Sequence, residues 1–137
     1  YFKRRLPKDE IKINLDVQAN NIEIFTSPVL LKWTIENLIK NAIDSISNQK
    51  GFISITVKLV SKKIIIIVND NGNGIPRKDW NNIFRPGFSN KQQGWGIGLS
   101  MVKRIVEDFL GGVVKVESSS EKNGTSMKLI LPIISKR

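Results

Sequence analysis

Apolar and polar residues alternate from Ile11 to Val17, where Ile11, Ile13, Leu15 and Val17 are separated by Lys12, Asn14 and Asp16. A side-chain period of two predicts a strand. Asn20 and Asn21 supply turn chemistry, and Ile22 to Phe25 predicts a short second strand. The period then changes. Thr26, Ser27 and Pro28 form a helix start, a hydroxyl cap followed by a proline whose missing N–H costs nothing in the first turn. From Val29 to about Asn48, Leu30, Leu31, Ile35, Leu38, Ile39, Ala42, Ile43 and Ile46 recur at three- and four-residue spacing. That is the stripe of a long amphipathic helix, and Gly51 follows as a terminator.

Strands are predicted at Phe52 to Val60 and at Lys63 to Asn69. The run Ile64 to Val68 is aliphatic on both faces, as expected of a strand covered on one side by helices. Asp70 to Pro76 is a loop, Arg77 to Ile83 has room for one or two helical turns, and Phe84 to Gly98 is long, polar and glycine-bearing. Connections of that length usually carry function. Leu99 to Leu110 reads as a second helix closed by Gly111 and Gly112, and strands at Val113 to Ser119 and Ser126 to Leu131 flank a turn at Glu121 to Gly124. There is no repeat and no strict βαβ alternation. The order predicts an α+β, two-layer sandwich: a mixed, mostly antiparallel sheet with about three helices on one face.

Composition narrows the chemistry. The 137 residues contain no cysteine and no histidine. This excludes disulfide scaffolds, thiolate or imidazole metal sites, cysteine nucleophiles and every mechanism built on a histidine base. Carboxylates, amides, hydroxyls, cations and backbone N–H groups remain. The excess of 22 Lys+Arg over 12 Asp+Glu gives a net charge of +10. Such a charge fits an anionic partner or a solubilising surface equally well. The basic residues are scattered, with one tight cluster at Lys3 to Arg5, and no aromatic platform interleaves them, so no nucleic-acid partner is predicted. Ile64 to Val68 is the longest aliphatic run, far short of the roughly 18 residues a spanning helix needs, so no membrane contact is expected of this domain.

Four places carry candidate chemistry. Asn37 and Asn41 lie four apart on the long helix and share a face, with Asp44 and Ser45 a turn further on. They read as satisfied amides or as an oxygen donor to a hard cation such as Mg²⁺, which takes few protein ligands when phosphates complete its shell. DNGNG, Asp70 to Gly74, follows the aliphatic strand and reads as a turn or as a ligand loop with a carboxylate at its root. GWGIGL, Gly94 to Leu99, opens the second helix and could present N–H donors to phosphate or act as a hinge. It matches neither a P-loop nor a dinucleotide fingerprint. Gly124-Thr125 before the last strand is, alone, a turn.

Together, and in this order, these features are specific. The wording ENLIKNAIDSI, DNGNGIP, IFRPGFSNK and GWGIGLSMVKRIVE resembles the ATP-binding catalytic domain of bacterial sensor histidine kinases, in the GHKL superfamily, from Ile11 to Pro132. The resemblance implies a Bergerat-type fold and ATP and Mg²⁺ as ligands. On it, Asn37 and Asn41 form the asparagine box as catalytic residues, with Asn41 the Mg²⁺ ligand. Asp70 would accept a hydrogen bond from the adenine amino group, Gly72, Gly74 and Ile75 would wall the adenine, and Thr125 would reach it through water. Phe84 to Gly94 would be the ATP lid, bearing Arg85 and Lys91. Gly94, Gly96, Gly98 and Leu99 would hinge the lid and line the phosphates.

Superfamily ATPases carry a glutamate base four residues before the magnesium asparagine, a position held here by Asn37. Glu36 is adjacent but rotated by about 100° around the helix. An amide cannot activate water, so the resemblance implies a kinase rather than an ATPase. The phosphoacceptor histidine would lie on a separate dimerisation domain of the same kinase, joined through residues 1–10, with 11–137 as the catalytic domain. A response regulator would act downstream. The location implied is cytoplasmic, whether or not the inner membrane anchors the parent protein. Two alternatives stand beside this: a serine protein kinase of the anti-sigma type, and a nucleotide-binding regulatory module without transfer activity.

Overall fold

The computed structural model describes residues 11–18, 26–46, 50–88 and 96–133. The strand expected at Ile22 to Phe25 and the linker expected at residues 1–10 lie outside them. Five strands are described: β1 (Ile11–Val17), β2 (Gly51–Val60), β3 (Lys63–Asp70), β4 (Val113–Ser120) and β5 (Gly124–Pro132). Two α-helices accompany them, α1 (Pro28–Ser45) and α2 (Gly96–Asp108), with 3₁₀ turns at Arg77–Asp79 and Asn82–Phe84. The sheet order is β1-β2-β3-β5-β4; β1 runs parallel to β2 and every other pair is antiparallel.

The starts and stops follow local chemistry. The Ser27 hydroxyl accepts the Leu30 N–H at 3.2 Å, and Pro28 occupies the first turn of α1. That satisfies one of the N–H groups a helix start leaves without an intrahelical partner. Between β2 and β3 only Ser61 and Lys62 intervene, and both have positive φ, 49° and 65°. This is the two-residue hairpin geometry whose twist matches the strands, adopted here without the usual Asn or Gly. Pairing of two long strands imposes the turn type on residues that do not favour it.

The core lies between the sheet and the two helices. Leu38 of α1, Val102 and Val106 of α2, Val68 of β3 and Leu129 of β5 have no exposed surface, and Ile53 and Leu131 have 1% each. Burying each such side chain contributes roughly 1.5–3 kcal/mol. The opposite sheet face is open, yet Ile65 on it is buried, flanked by its cross-strand neighbours Lys58 and Ile130.

β1 departs from the sequence expectation. Its alternation predicts one buried face, but only Ile11 is buried, while Ile13, Leu15 and Val17 are 39%, 63% and 54% exposed. β1 is an edge strand, and α1 packs over β2 and β3. The alternation fixes which residues share a face; it does not fix how far the helices reach. No described helix is long and apolar enough to cross a membrane.

Candidate functional site

Two structural arrangements hold the predicted residues. The first is a row across three strands. Asp70, the last residue of β3, is paired with Thr125 on β5, and Thr125 with Ser119 on β4. Asp70 and Thr125 are 4% and 3% exposed, among the few polar residues in the interior. Cross-strand neighbours on one face bring their side chains within reach of one another. Asp70 Oδ1 accepts the Gly72 N–H at 2.7 Å, so the carboxylate folds its own loop around itself.

The loop after Asp70 is gripped from both sides. On the helix side, Asn73 N donates to Ser45 O at the end of α1, 3.0 Å away. A Cβ at Gly72 would fall 2.1 Å from Ser45 Oγ, so only glycine allows the loop to lie this close to the helix. On the sheet side, Ile75 N donates to Ser119 Oγ at 2.7 Å, and Ser119 Oγ is 2.7 Å from Thr125 Oγ1. Trp80 Nε1 donates to Ile75 O at 3.0 Å, with the Arg77 guanidinium over its ring. Gly74 lies between these anchors, against the backbone of Ser120. The result is a bowed segment with a buried carboxylate at its root and backbone held at fixed points.

The second arrangement is a small cleft between α1 and the start of α2, lined by Asn37, Lys40, Asn41, Asp44, Gly98 and Leu99. Asn37 and Asn41 do share a helix face. Asn37 Nδ2 donates to Trp33 O at 2.8 Å, so its amide is partly engaged with its own helix and keeps an oxygen available. Asn41 is half-buried, and Leu99 is buried beneath the cleft. Gly96 and Gly98 belong to the first turn of α2, where N–H groups without an intrahelical partner and the positive end of the dipole lie. Lys91 and Gly94 fall outside the described residues, as does most of the expected lid; Arg85, at its near end, is exposed.

Several site residues were not legible beforehand. Ser119 sits in the run Ser118-Ser119-Ser120, where composition does not distinguish one hydroxyl from the next. Trp80 lies in the short segment Arg77 to Ile83, where nothing local marks its indole N–H as an anchor for the loop. Gly124 looked like a turn residue, but a Cβ there would lie 1.8 Å from Asp70 O. The helix cleft differs from the broad depression on the open sheet face, where Asn69 and Asn71 are already bonded to Ser126 and to the backbone of Phe52 and Lys50.

Comparison with known proteins agrees with this geometry. Residues 26–135 match the model of the histidine kinase-, DNA gyrase B-, and HSP90-like ATPase family. The chain belongs to that family. It is 36% identical to the sensor histidine kinase ZraS of Escherichia coli (strain K12) over 124 residues, 90% of this chain and 26% of that protein. It is 33% identical to sporulation kinase A of Bacillus subtilis (strain 168) over 132 residues, 96% of this chain and 20% of that protein. The chain thus spans about a quarter or less of the curated relatives' length. Among solved structures, the nucleotide-free catalytic domain of histidine kinase ThkA superposes with a TM-score of 0.84 at 29% identity, covering 96% of this chain and 85% of that one. A second structure, of ThkA in complex with the response regulator TrrA, superposes with a TM-score of 0.80 at 25% identity, covering 97% of this chain and 37% of that one. The expected α+β sandwich is therefore the fold of a histidine kinase catalytic domain.

Proposed function

We propose that this chain binds Mg-ATP and donates the γ-phosphoryl group to a histidine on a separate dimerisation domain of the same kinase. The observation that carries this is the pairing of two half-sites on one side of the sheet. One is the buried Asp70–Thr125 row under the glycine loop; the other is the amide-bearing cleft against the start of α2. Adenine fits the first half-site, because Asp70 offers a carboxylate oxygen to its amino group while Gly72 and Ile75 lie beside the ring. The triphosphate suits the second, where Gly96 and Gly98 open a helix N-terminus.

The oxygen donors of this cleft suit a hard cation. Among the described residues no three carboxylates or imidazoles converge, and the cleft offers the amides of Asn37 and Asn41 and the carboxylate of Asp44. A Mg²⁺ held by Asn41 would take the rest of its shell from water and phosphate, and would neutralise charge on the transferring phosphoryl. The chain's own residues position and stabilise; they move no proton. That is sufficient, since phosphoryl transfer is mainly positioning and electrostatics. Asn37 stands where a base would be needed to activate water, and its amide cannot accept that proton. The acceptor must also come from elsewhere, because the chain has no histidine.

Residues 11–137 are on this reading the catalytic unit, with 1–10 leading from the acceptor domain. A response regulator acts downstream, as the ThkA–TrrA structure illustrates for that kinase. The domain would work in the cytoplasm, where ATP is. Turnover tests the assignment. The chain with γ-labelled ATP and Mg²⁺ should release little phosphate, and adding a histidine-bearing dimerisation domain should yield an acid-labile, alkali-stable phosphoprotein. Rapid hydrolysis by the chain alone would contradict the kinase reading, and an acid-stable label on a serine would favour the anti-sigma-type alternative.

A further inference from the structure

Ser119 connects the glycine loop to the strand row. Its Oγ accepts the Ile75 N–H from the glycine loop and lies 2.7 Å from Thr125 Oγ1, the neighbour of Asp70 in the strand row. A serine hydroxyl has one hydrogen and two lone pairs. One lone pair is taken by Ile75. If Ser119 donates to Thr125, its hydrogen is satisfied within the row and the Thr125 hydrogen is turned away from Ser119. In the reverse direction Ser119 would accept twice, and its own hydrogen would need a third partner.

We propose, resting on the nucleotide reading above, that Ser119 is a positioning residue. It fixes the proton direction of the Thr125 hydroxyl and so makes the pocket select a base with an acceptor nitrogen beside its amino group. With the amino group of a base at Asp70, the adjoining ring nitrogen can face Thr125, the cross-strand partner of Asp70. Thr125, with its hydrogen free of Ser119, donates to that nitrogen directly or through one water. Adenine offers a lone pair there. A base with an N–H at that place would set donor against donor, and one with a C–H would offer nothing. The same serine holds Ile75 against the ring position, so shape and proton direction are set by one side chain.

The test is a ratio of affinities measured by calorimetry on the 137-residue chain, for ATP and for 1-deaza-ATP, in which a C–H replaces the ring nitrogen. The wild-type chain should prefer ATP by about two- to tenfold, the worth of one net hydrogen bond. Ser119→Ala should bring the two affinities to within about twofold of each other, and Ser119→Thr, which restores the hydroxyl, should retain the preference. A serine that only supports the fold would weaken both nucleotides equally and leave the ratio intact, which overturns the proposal. So does a wild-type chain that binds both equally, a result that requires no variant to fold. If ATP fails to bind, or binds regardless of Asp70→Asn, the nucleotide reading itself fails. ATP binding that needs Asp70 but shows an unchanged ratio in Ser119→Ala defeats the Ser119 assignment alone.

Discussion

Replacing Gly124 by alanine should damage stability and site together. Gly124 begins β5 with φ +80°, and an added Cβ would lie 1.8 Å from Asp70 O and 2.7 Å from Asn71 Cα. Two costs add. Holding a residue with a Cβ in the left-handed region costs about 1–2 kcal/mol. Forcing apart packed backbone costs typically about 1–3 kcal/mol more. The expected loss is therefore about 2–5 kcal/mol, a large share of the roughly 5–15 kcal/mol that holds a domain together. Gly87→Ala separates the two terms: Gly87 also has positive φ, +81°, but a Cβ there meets nothing within 4 Å. It should cost only the strain, about 1–2 kcal/mol. Urea unfolding followed by circular dichroism, without nucleotide, gives both values. Because the clash pushes on Asp70, the residue proposed to meet the adenine amino group, Gly124→Ala should also weaken ATP binding. Equal losses for the two variants would refute the close approach of β5 to the Asp70 loop.

Asp70→Asn keeps the side chain's size and its acceptor for the Gly72 N–H, but turns the other oxygen into a donor facing an amino group. ATP affinity should fall about ten- to hundredfold by calorimetry, as expected for a lost charged hydrogen bond, while the melting curve stays close to that of the wild type. Asn41→Ala should remove the Mg²⁺ dependence of nucleotide binding, measured by titration with and without the metal. Lys62→Gly should stabilise the fold by about 0.5–1 kcal/mol in urea unfolding, because it relieves positive φ in the β2–β3 turn.

Much of this architecture was legible in the sequence, and the exceptions have physical causes. The Leu30-to-Ile46 stripe, the Ile64-to-Val68 run and the Ser27-Pro28 start are local signals, and α1 and β3 formed where they predicted. Asp70, Asn41 and the glycines that open α2 stood out as candidates because each stands at an element's end or on one helix face. What escaped depends on contacts between distant segments. Ser119 matters only because β4, β5 and the Asp70 loop meet, and no local pattern encodes that meeting. The exposure of Ile13, Leu15 and Val17 likewise reflects how far α1 extends over the sheet, a tertiary quantity. The Ser61-Lys62 turn shows strand pairing overriding residue preference, the reverse of reading a turn from an Asn-Gly pair.

The most direct measurement is a calorimetric titration of the chain with a non-hydrolysable ATP analogue, with and without Mg²⁺, beside Asp70→Asn. Saturable one-to-one binding that strengthens with Mg²⁺ and falls at least tenfold in Asp70→Asn is predicted. A folded chain that takes up no nucleotide, or binds it with equal strength in both proteins, would contradict the account.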